Sequence, residues 1–218
     1  MMTIIFKCYS GSKLYGTDTP ESDTDMNGVH LPSKSEILLD CQKHHIRYSP
    51  ATIGKNTKND EDISTVSLLR FFEDIRRGKP QSIEMLFASA EYETILWVKA
   101  RAVGLSLLTS SLSGFTGMAF NLNTKTYKDY YHKLRSLLLL EELHKSGTLT
   151  FPISKPDREI LIKVKNGEFA VAELDKEVVH MEKVCNYAKE KSVLPSSVDM
   201  NKAYNFVEEV YRDIVNSL

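Results

Sequence analysis

The sequence predicts an α+β fold, a small mixed β-sheet domain followed by a mainly helical one, and three observations carry that reading. Short β-branched and aromatic runs broken by turn residues occupy the first part of the chain. From Ser67 the apolar period becomes helical, with Leu68, Leu69, Phe72 and Ile75 recurring along one face. After Pro80 nearly every apolar segment keeps that spacing. At 218 residues, with 42% hydrophobic and 26% charged, the chain has enough apolar surface to bury a real core.

Taken in order, Thr3 to Tyr9 reads as a strand stopped by Ser10-Gly11-Ser12. A polar loop from Lys13 to about Ser22 leads into a second strand, Asp25 to Leu31, ended by Pro32; the two strands look like a hairpin with a long connection. His45 to Tyr48 reads as another strand and Ser49 to Asp60 as a polar connection. The helix starting after Ser67 ends at Gly78-Lys79-Pro80. Helical patterns follow over Ile83 to Phe87, Ile95 to Leu108, Phe120 to Leu143, Asp157 to Val164, Val171 to Lys191 and Asn201 to Val215. The expected division is a sheet domain over residues 1–90 and a helical domain over 91–218 that completes a cleft.

Charge and cysteine content narrow the class. Lys and Arg total 28 against 29 Asp and Glu, a net charge of −1, so there is no bulk positive field to hold nucleic acid indiscriminately. Any polyanion contact must be local. Cys8, Cys41 and Cys185 are scattered with no CxxC spacing, which points to a reducing cytoplasm rather than a disulfide framework or a zinc site. The first residues hold too short an apolar patch for a secretory signal, and no run approaches the roughly 20 apolar residues that span a bilayer. The expectation is a cytoplasmic protein with no membrane partner; nothing in the sequence speaks to its oligomeric state.

Chemistry concentrates in Tyr9-Ser-Gly-Ser-Lys-Leu-Tyr-Gly-Thr-Asp-Thr-Pro-Glu-Ser-Asp-Thr-Asp25. On a strand, side chains alternate with period two, so Asp23 and Asp25 project to one face and converge on one cation or an adjacent pair. Adjacent carboxylates repel unless a cation lies between them, and hard oxygen ligands suit magnesium shared with phosphate oxygens. Gly11 lets the backbone approach a ligand, and Ser12 offers an amide and a hydroxyl to phosphate. Two metals about 3.5–4 Å apart activate an attacking hydroxyl and stabilise a leaving pyrophosphate, which calls for a third carboxylate. Asp62 is the best placed, at the head of a β-branched segment able to pair with the hairpin; Asp60 and Glu61 compete with it. The bland alternatives are turn chemistry for Ser22-Asp-x-Asp25, and a helix cap for Asp62 or Ser64.

Gly11-Ser12, the ten-residue gap and Asp23-x-Asp25 resemble the signature of the DNA polymerase beta-type nucleotidyltransferase superfamily. The wording of the stretch is similar to predicted nucleotidyltransferases that include the RNA-ligase-associated, RNA-repair branch of phages and bacteria. Leu69-Arg-Phe-Phe72, Gly78 to Phe87, Lys128-x3-His132-x2-Arg135, and Asp157-Arg-Glu-Ile-Leu161 with Asn166-Gly-Glu168 extend the resemblance over almost the whole chain. Thr24 stands where the superfamily often has an apolar residue, and Lys79 where Asn is expected before Pro80. The resemblance implies magnesium-dependent transfer of a nucleoside monophosphate from an NTP to an acceptor hydroxyl, most readily on RNA, with manganese able to substitute. Asp23 and Asp25 would hold both metals and Asp62 the catalytic one, while Gly11, Ser12 and Ser22 would meet the nucleotide.

At about 100° per residue, Lys125, Lys128, His132 and Arg135 fall within one arc of a helix beside an apolar strip of Tyr127, Tyr131, Leu134 and Leu138. With the apolar strip packed on the sheet domain, the basic strip would face the triphosphate; the bland alternative is a solvated charged face. Tyr9 and Tyr15 offer base stacking or packing, His44-His45 reads as a strand pair rather than a metal site, Trp97 as core, and Arg76-Arg77 with Lys79 as helix-end charges or as contacts to an RNA acceptor. Two other outcomes stay open: nucleotidyl transfer to a protein or small molecule, and a nucleotide-binding module without catalysis.

Overall fold

The structure is a computed structural model, in which residues 3–20, 22–48 and 61–217 are described. A five-stranded mixed sheet has the strand order β3-β4-β2-β1-β5, where β1 is Thr3–Tyr9, β2 Thr24–Leu31, β3 His45–Tyr48, β4 Glu61–Ser67 and β5 Tyr92–Glu93. The β1/β2 hairpin is antiparallel, while β2 and β4 run parallel. Around it lie α1 (Gly11–Tyr15), α2 (Lys34–Leu38), α3 (Leu68–Arg76), α4 (Pro80–Phe87), α5 (Ile95–Leu105), α6 (Ser113–Asn121), α7 (Tyr127–Ser146), α8 (Lys155–Lys165), α9 (Val171–Glu190) and α10 (Asn201–Asn216).

One face of the sheet is apolar where it meets the helices. Phe6 of β1 stacks on Trp97 of α5, ring centroids 3.9 Å apart, and Phe71 of α3 packs against the same indole at 5.2 Å. Trp97 is therefore core, as its helical context implied. The other face carries a buried polar belt: His30 bonds the Thr65 hydroxyl through Nδ1 and the Lys43 carbonyl through Nε2, both at 2.9 Å, and His44 Nδ1 meets Ser67 Oγ at 2.9 Å. Those bonds use His30 and His44 structurally, and His44 lies just ahead of β3 rather than in it. Gly28 sits where β1 and β4 close on β2; a Cβ there would lie 2.6 Å from the Phe6 carbonyl oxygen, so only glycine fits.

The long helices α7 and α9 pack together, and Cys185 Sγ donates to the Leu137 carbonyl between them at 3.1 Å. Most of the buried apolar residues form one cluster running from Ile5 through α7 and α9 to Val210 of α10.

Several elements differ from the sequence reading. Residues 11–15, expected as turn and loop, form a short helix closed by Gly16 in the left-handed region at φ 72°. Lys34–Leu38 is a helix begun by a Ser33/Glu36 capping box. The single helix expected over Phe120 to Leu143 is two, because Thr126 and Asp129 form a second capping box that starts α7 at Tyr127. Lys125 consequently precedes the helix and leaves the arc it was assigned to. The cap of α3 is Ser67, whose side chain accepts from the Arg70 amide, so neither Asp62 nor Ser64 has that role. The connection from Ser49 to Asp60 lies outside the described residues.

Candidate active site

The sheet brings the carboxylates together through strand register. Asp25 of β2 pairs directly with Asp62 of β4, and Asn27 with Ser64, across the parallel ladder. Period-two alternation puts these side chains on one face, and Asp23 lies two residues ahead of Asp25. Asp23 and Asp25 are exposed, while Asp62 is 8% exposed. Partial desolvation first, then the Asp62 and Asp23 carboxylates, push the Asp25 carboxyl up, against the opposing pull of Arg47. A cluster of this kind favours a cation in its midst.

Next to it is the turn that joins β1 to α1. The Ser10 amide donates to the Asp25 carbonyl at 2.9 Å, fastening the turn to β2. Gly11 has φ 58°, and a Cβ at this position would stand 3.3 Å from Asp25 Oδ2. Backbone conformation and proximity thus both call for glycine. Lys13 turns aside, donating to Thr24 Oγ1 at 2.5 Å and lying 5.1 Å from the Tyr9 ring centroid.

The facing wall is α7. Its Tyr131 hydroxyl shares a 2.7 Å hydrogen bond with Thr17, tying the loop after α1 to the helix. Arg135 lies over the Tyr15 ring at 4.1 Å and near that of Tyr131 at 5.3 Å. The Tyr15 hydroxyl donates to Glu84 Oε1 of α4 at 2.8 Å, and both side chains are buried. Burial pushes the Glu84 carboxyl up, and burial together with the Glu84 charge pushes the Tyr15 hydroxyl well up. Tyr15 is therefore a packing residue rather than a free stacking platform. Burial, followed by the Arg135 and Lys128 charges, pushes His132 down to about 4, so it is neutral at pH 7.

Between these walls are two adjoining cavities of 570 and 420 Å³ that share Gly11, Asp25, His132 and Arg135. The larger is bounded by Asp62, Asn27, Ser64, Arg47, Lys79 and Met118; the smaller by Ser12, Ser22, Asp23, Lys128 and Lys165. The cleft thus gathers Gly11, Ser12, Ser22, Asp23, Asp25, Asp62, Lys128, His132 and Arg135. It does not gather Lys125, which is exposed and uses its backbone amide on Asp129 Oδ2 at 3.1 Å. Of the competing acids, Asp60 is outside the described residues, and Glu61 opens β4. Sequence reasoning missed Lys165, at the end of α8, and Arg47, on the edge strand β3. Neither has a local signal, because each reaches the cleft only through tertiary packing.

The donor set suits hydrated magnesium: hard carboxylate oxygens, two of them in register beside a turn that exposes backbone amides. Among the described residues no three His, Cys, Asp or Glu side chains close around a single point. Asp62 instead faces Arg47, whose guanidinium lies 3.0 Å from its Oδ2. An ion that keeps waters and shares phosphate oxygens fits an open set of this kind better than a closed protein cage.

Among the described residues no helix is long and apolar enough to cross a membrane. The chain is 34% identical over 137 residues to an uncharacterised 38.9 kDa protein in the nrdC–mobD intergenic region of Enterobacteria phage T4, a match covering 62% of this chain and 38% of that protein. The chain thus spans well under half the length of that relative. It also aligns with a nucleotidyltransferase-like protein from Exiguobacterium sibiricum over 97% of this chain and 74% of the other, at 9% identity and a TM-score of 0.30, too distant a likeness to inform the site. Residues 1–213 match the RlaP family, described as the RNA repair pathway DNA polymerase beta family. With the match running from the Gly-Ser turn through the carboxylate strands to the α7 wall and beyond, the chain belongs to the RNA repair pathway DNA polymerase beta family.

Proposed function

We propose that the protein is a nucleotidyltransferase of the EC 2.7.7 type, moving a nucleoside monophosphate from an NTP to an acceptor hydroxyl, with RNA as the acceptor and pyrophosphate as the second product. The observation that carries this reading is the parallel register of Asp25 with Asp62 at a cleft floored by the Gly11-Ser12 turn. Family membership supports RNA as the acceptor. The residues 1–90 and 91–218 then form the catalytic domain and the helical domain that completes its cleft.

Asp23, Asp25 and Asp62 are the side chains that would hold magnesium, or manganese in its place; bound there, the ions would supply activation of the incoming hydroxyl and charge stabilisation on the leaving pyrophosphate. The chain's own residues do the rest. Gly11 and Ser12 present backbone amides and a hydroxyl to the phosphates, with Ser22 lining the same cavity. Lys128, Lys165 and Arg135 offset the triphosphate charge from the opposite wall, and neutral His132 offers a hydrogen bond. Asp62 takes the proton of the acceptor hydroxyl as its oxygen bonds to the α-phosphorus and the bond to the bridging oxygen of pyrophosphate breaks. The acceptor enters over Ser64 and Arg47, in the larger cavity.

A reducing cytoplasm, bacterial or that of a phage host, suits three free cysteines, two of them buried. The test is label transfer from the four α-³²P NTPs, with magnesium or manganese, onto RNA, protein and small-molecule acceptors, beside Asp23→Ala/Asp25→Ala. Label on RNA that vanishes in the double variant supports the proposal. Label on protein or a small molecule replaces the acceptor, and NTP binding without label on anything makes the protein a nucleotide-binding module.

A further inference from the structure

We infer that Tyr15 and Glu84 are positioning residues: Glu84 fixes the Tyr15 ring, and the ring holds the Arg135 guanidinium at the junction of the two cavities, where it takes a polyphosphate. The inference deepens the triphosphate part of the proposed function and rests on it. Among the described residues Arg135 forms no salt bridge, and its enclosed Nε has no hydrogen-bond partner. A half-buried guanidinium with no carboxylate in contact is costly, unless an anionic ligand completes its shell. The buried carboxylate of this wall, Glu84, acts on Arg135 through its charge but makes no contact ion pair with it: it receives the Tyr15 hydroxyl at 2.8 Å, and the aromatic ring lies against the guanidinium at 4.1 Å.

The arrangement keeps a positive charge available and restricts where it points. Stacking on a ring face attracts the cation without consuming its N–H donors; one hydrogen bond goes to the Tyr131 hydroxyl, and the enclosed Nε stays unpaired and open to a phosphate oxygen. The same ring belongs to α1, the helix that begins at Gly11, and meets Phe151 edge-on at 5.9 Å. One side chain therefore fixes both the phosphate-binding turn and the cation facing it. A Glu84–Arg135 ion pair in its place would neutralise the charge that the cleft presents.

Calorimetry with inorganic tripolyphosphate and magnesium tests this directly, on wild type, Arg135→Lys, Tyr15→Leu, Tyr15→Phe, Glu84→Gln and the Tyr15→Leu/Arg135→Lys double variant, each checked by thermal melting. Arg135→Lys and Tyr15→Leu should each weaken binding about tenfold, and the double variant no more than either, since the ring acts through the guanidinium. Tyr15→Phe, which keeps the ring and loses its anchor, should lose about threefold; Glu84→Gln, which keeps an acceptor, should stay within about twofold. In label transfer the same variants raise KM for the NTP far more than they lower kcat. Wild-type affinity in folded Tyr15→Leu, or losses that multiply in the double variant, would overturn the inference; if Tyr15→Leu does not fold, undiminished binding by Tyr15→Phe does so. Tripolyphosphate binding that follows this pattern in a protein transferring no label sustains the inference and sinks the transfer reading alone.

Discussion

The two walls of the cleft are held by opposite means. On the sheet side, Asp25 and Asp62 owe their proximity to backbone pairing between β2 and β4, while Asp23 and Asp25 stay open to solvent. On the α7 side, the cations owe theirs to side-chain packing: Arg135 rests on Tyr15 and Tyr131, and Lys165 reaches over Tyr131 at 5.8 Å. The carboxylate wall is thus fixed as the sheet is, to within a strand register, whereas the basic wall depends on a few aromatic contacts between distant segments. Chemistry should fail abruptly when the first is altered, and affinity should decline by degrees when the second is.

The largest effect should come from the sheet wall. Asp25→Ala should lower label transfer about 10³-fold or more, and Asp62→Asn, which keeps shape but cannot accept the hydroxyl proton as a carboxylate does, about 10²- to 10³-fold in kcat with little change in KM. Single-turnover measurements under saturating NTP would break the comparison if Asp62→Asn instead acted through KM. Gly28→Ala tests the register itself. Its Cβ would press on the Phe6 carbonyl, so thermal unfolding should show a loss of about 1–3 kcal/mol.

A smaller change is expected from the basic wall. Lys165→Ala should raise KM for the NTP about three- to tenfold, and the loss should shrink at 1 M salt, where screening acts over about 3 Å. An effect on kcat equal to that of Asp62→Asn would erase the distinction between the walls.

Smallest in rate but sharpest in diagnosis is the state of His132. Its value of about 4 in the fold lies below the ordinary 6.5, so between those values the unfolded chain binds more protons than the native one. The stability it contributes is present above pH 6.5 and is lost as the pH falls towards 4. Histidine NMR should place its midpoint near 4 in the free protein and move it upward when tripolyphosphate binds and offsets the Arg135 and Lys128 charges. A midpoint unmoved by tripolyphosphate would detach His132 from the anion site.

Legibility in the sequence follows the same contrast. The Gly11-Ser12 turn and the Asp23-x-Asp25 run could be read because strand periodicity is local, and Asp62 because a β-branched segment follows it. Lys125 was misplaced for want of one local signal that was available, the Thr126-x-x-Asp129 capping box that starts the helix two residues later. The short helix α1 has no such signal beyond Gly16, five residues being too few for a period to show. Arg47, Lys165 and the Tyr15–Glu84 bond were out of reach, since each depends on which segments meet in space; Tyr15 and Glu84 are 69 positions apart.

The parallel pairing of β2 with β4 also sets an order of events during synthesis. Parallel neighbours require a crossover before any of their bonds form, so Asp25 waits for Asp62, and both wait for α7 to arrive with Arg135. A nascent chain emerging from the ribosome at about 5–20 residues per second therefore carries its carboxylates for several seconds before the opposing cations exist. During that interval it carries the carboxylates and the Gly11-Ser12 turn without the α7 and α8 cations that face them. The reactive cleft comes into being only with the arrival of the helix that closes it.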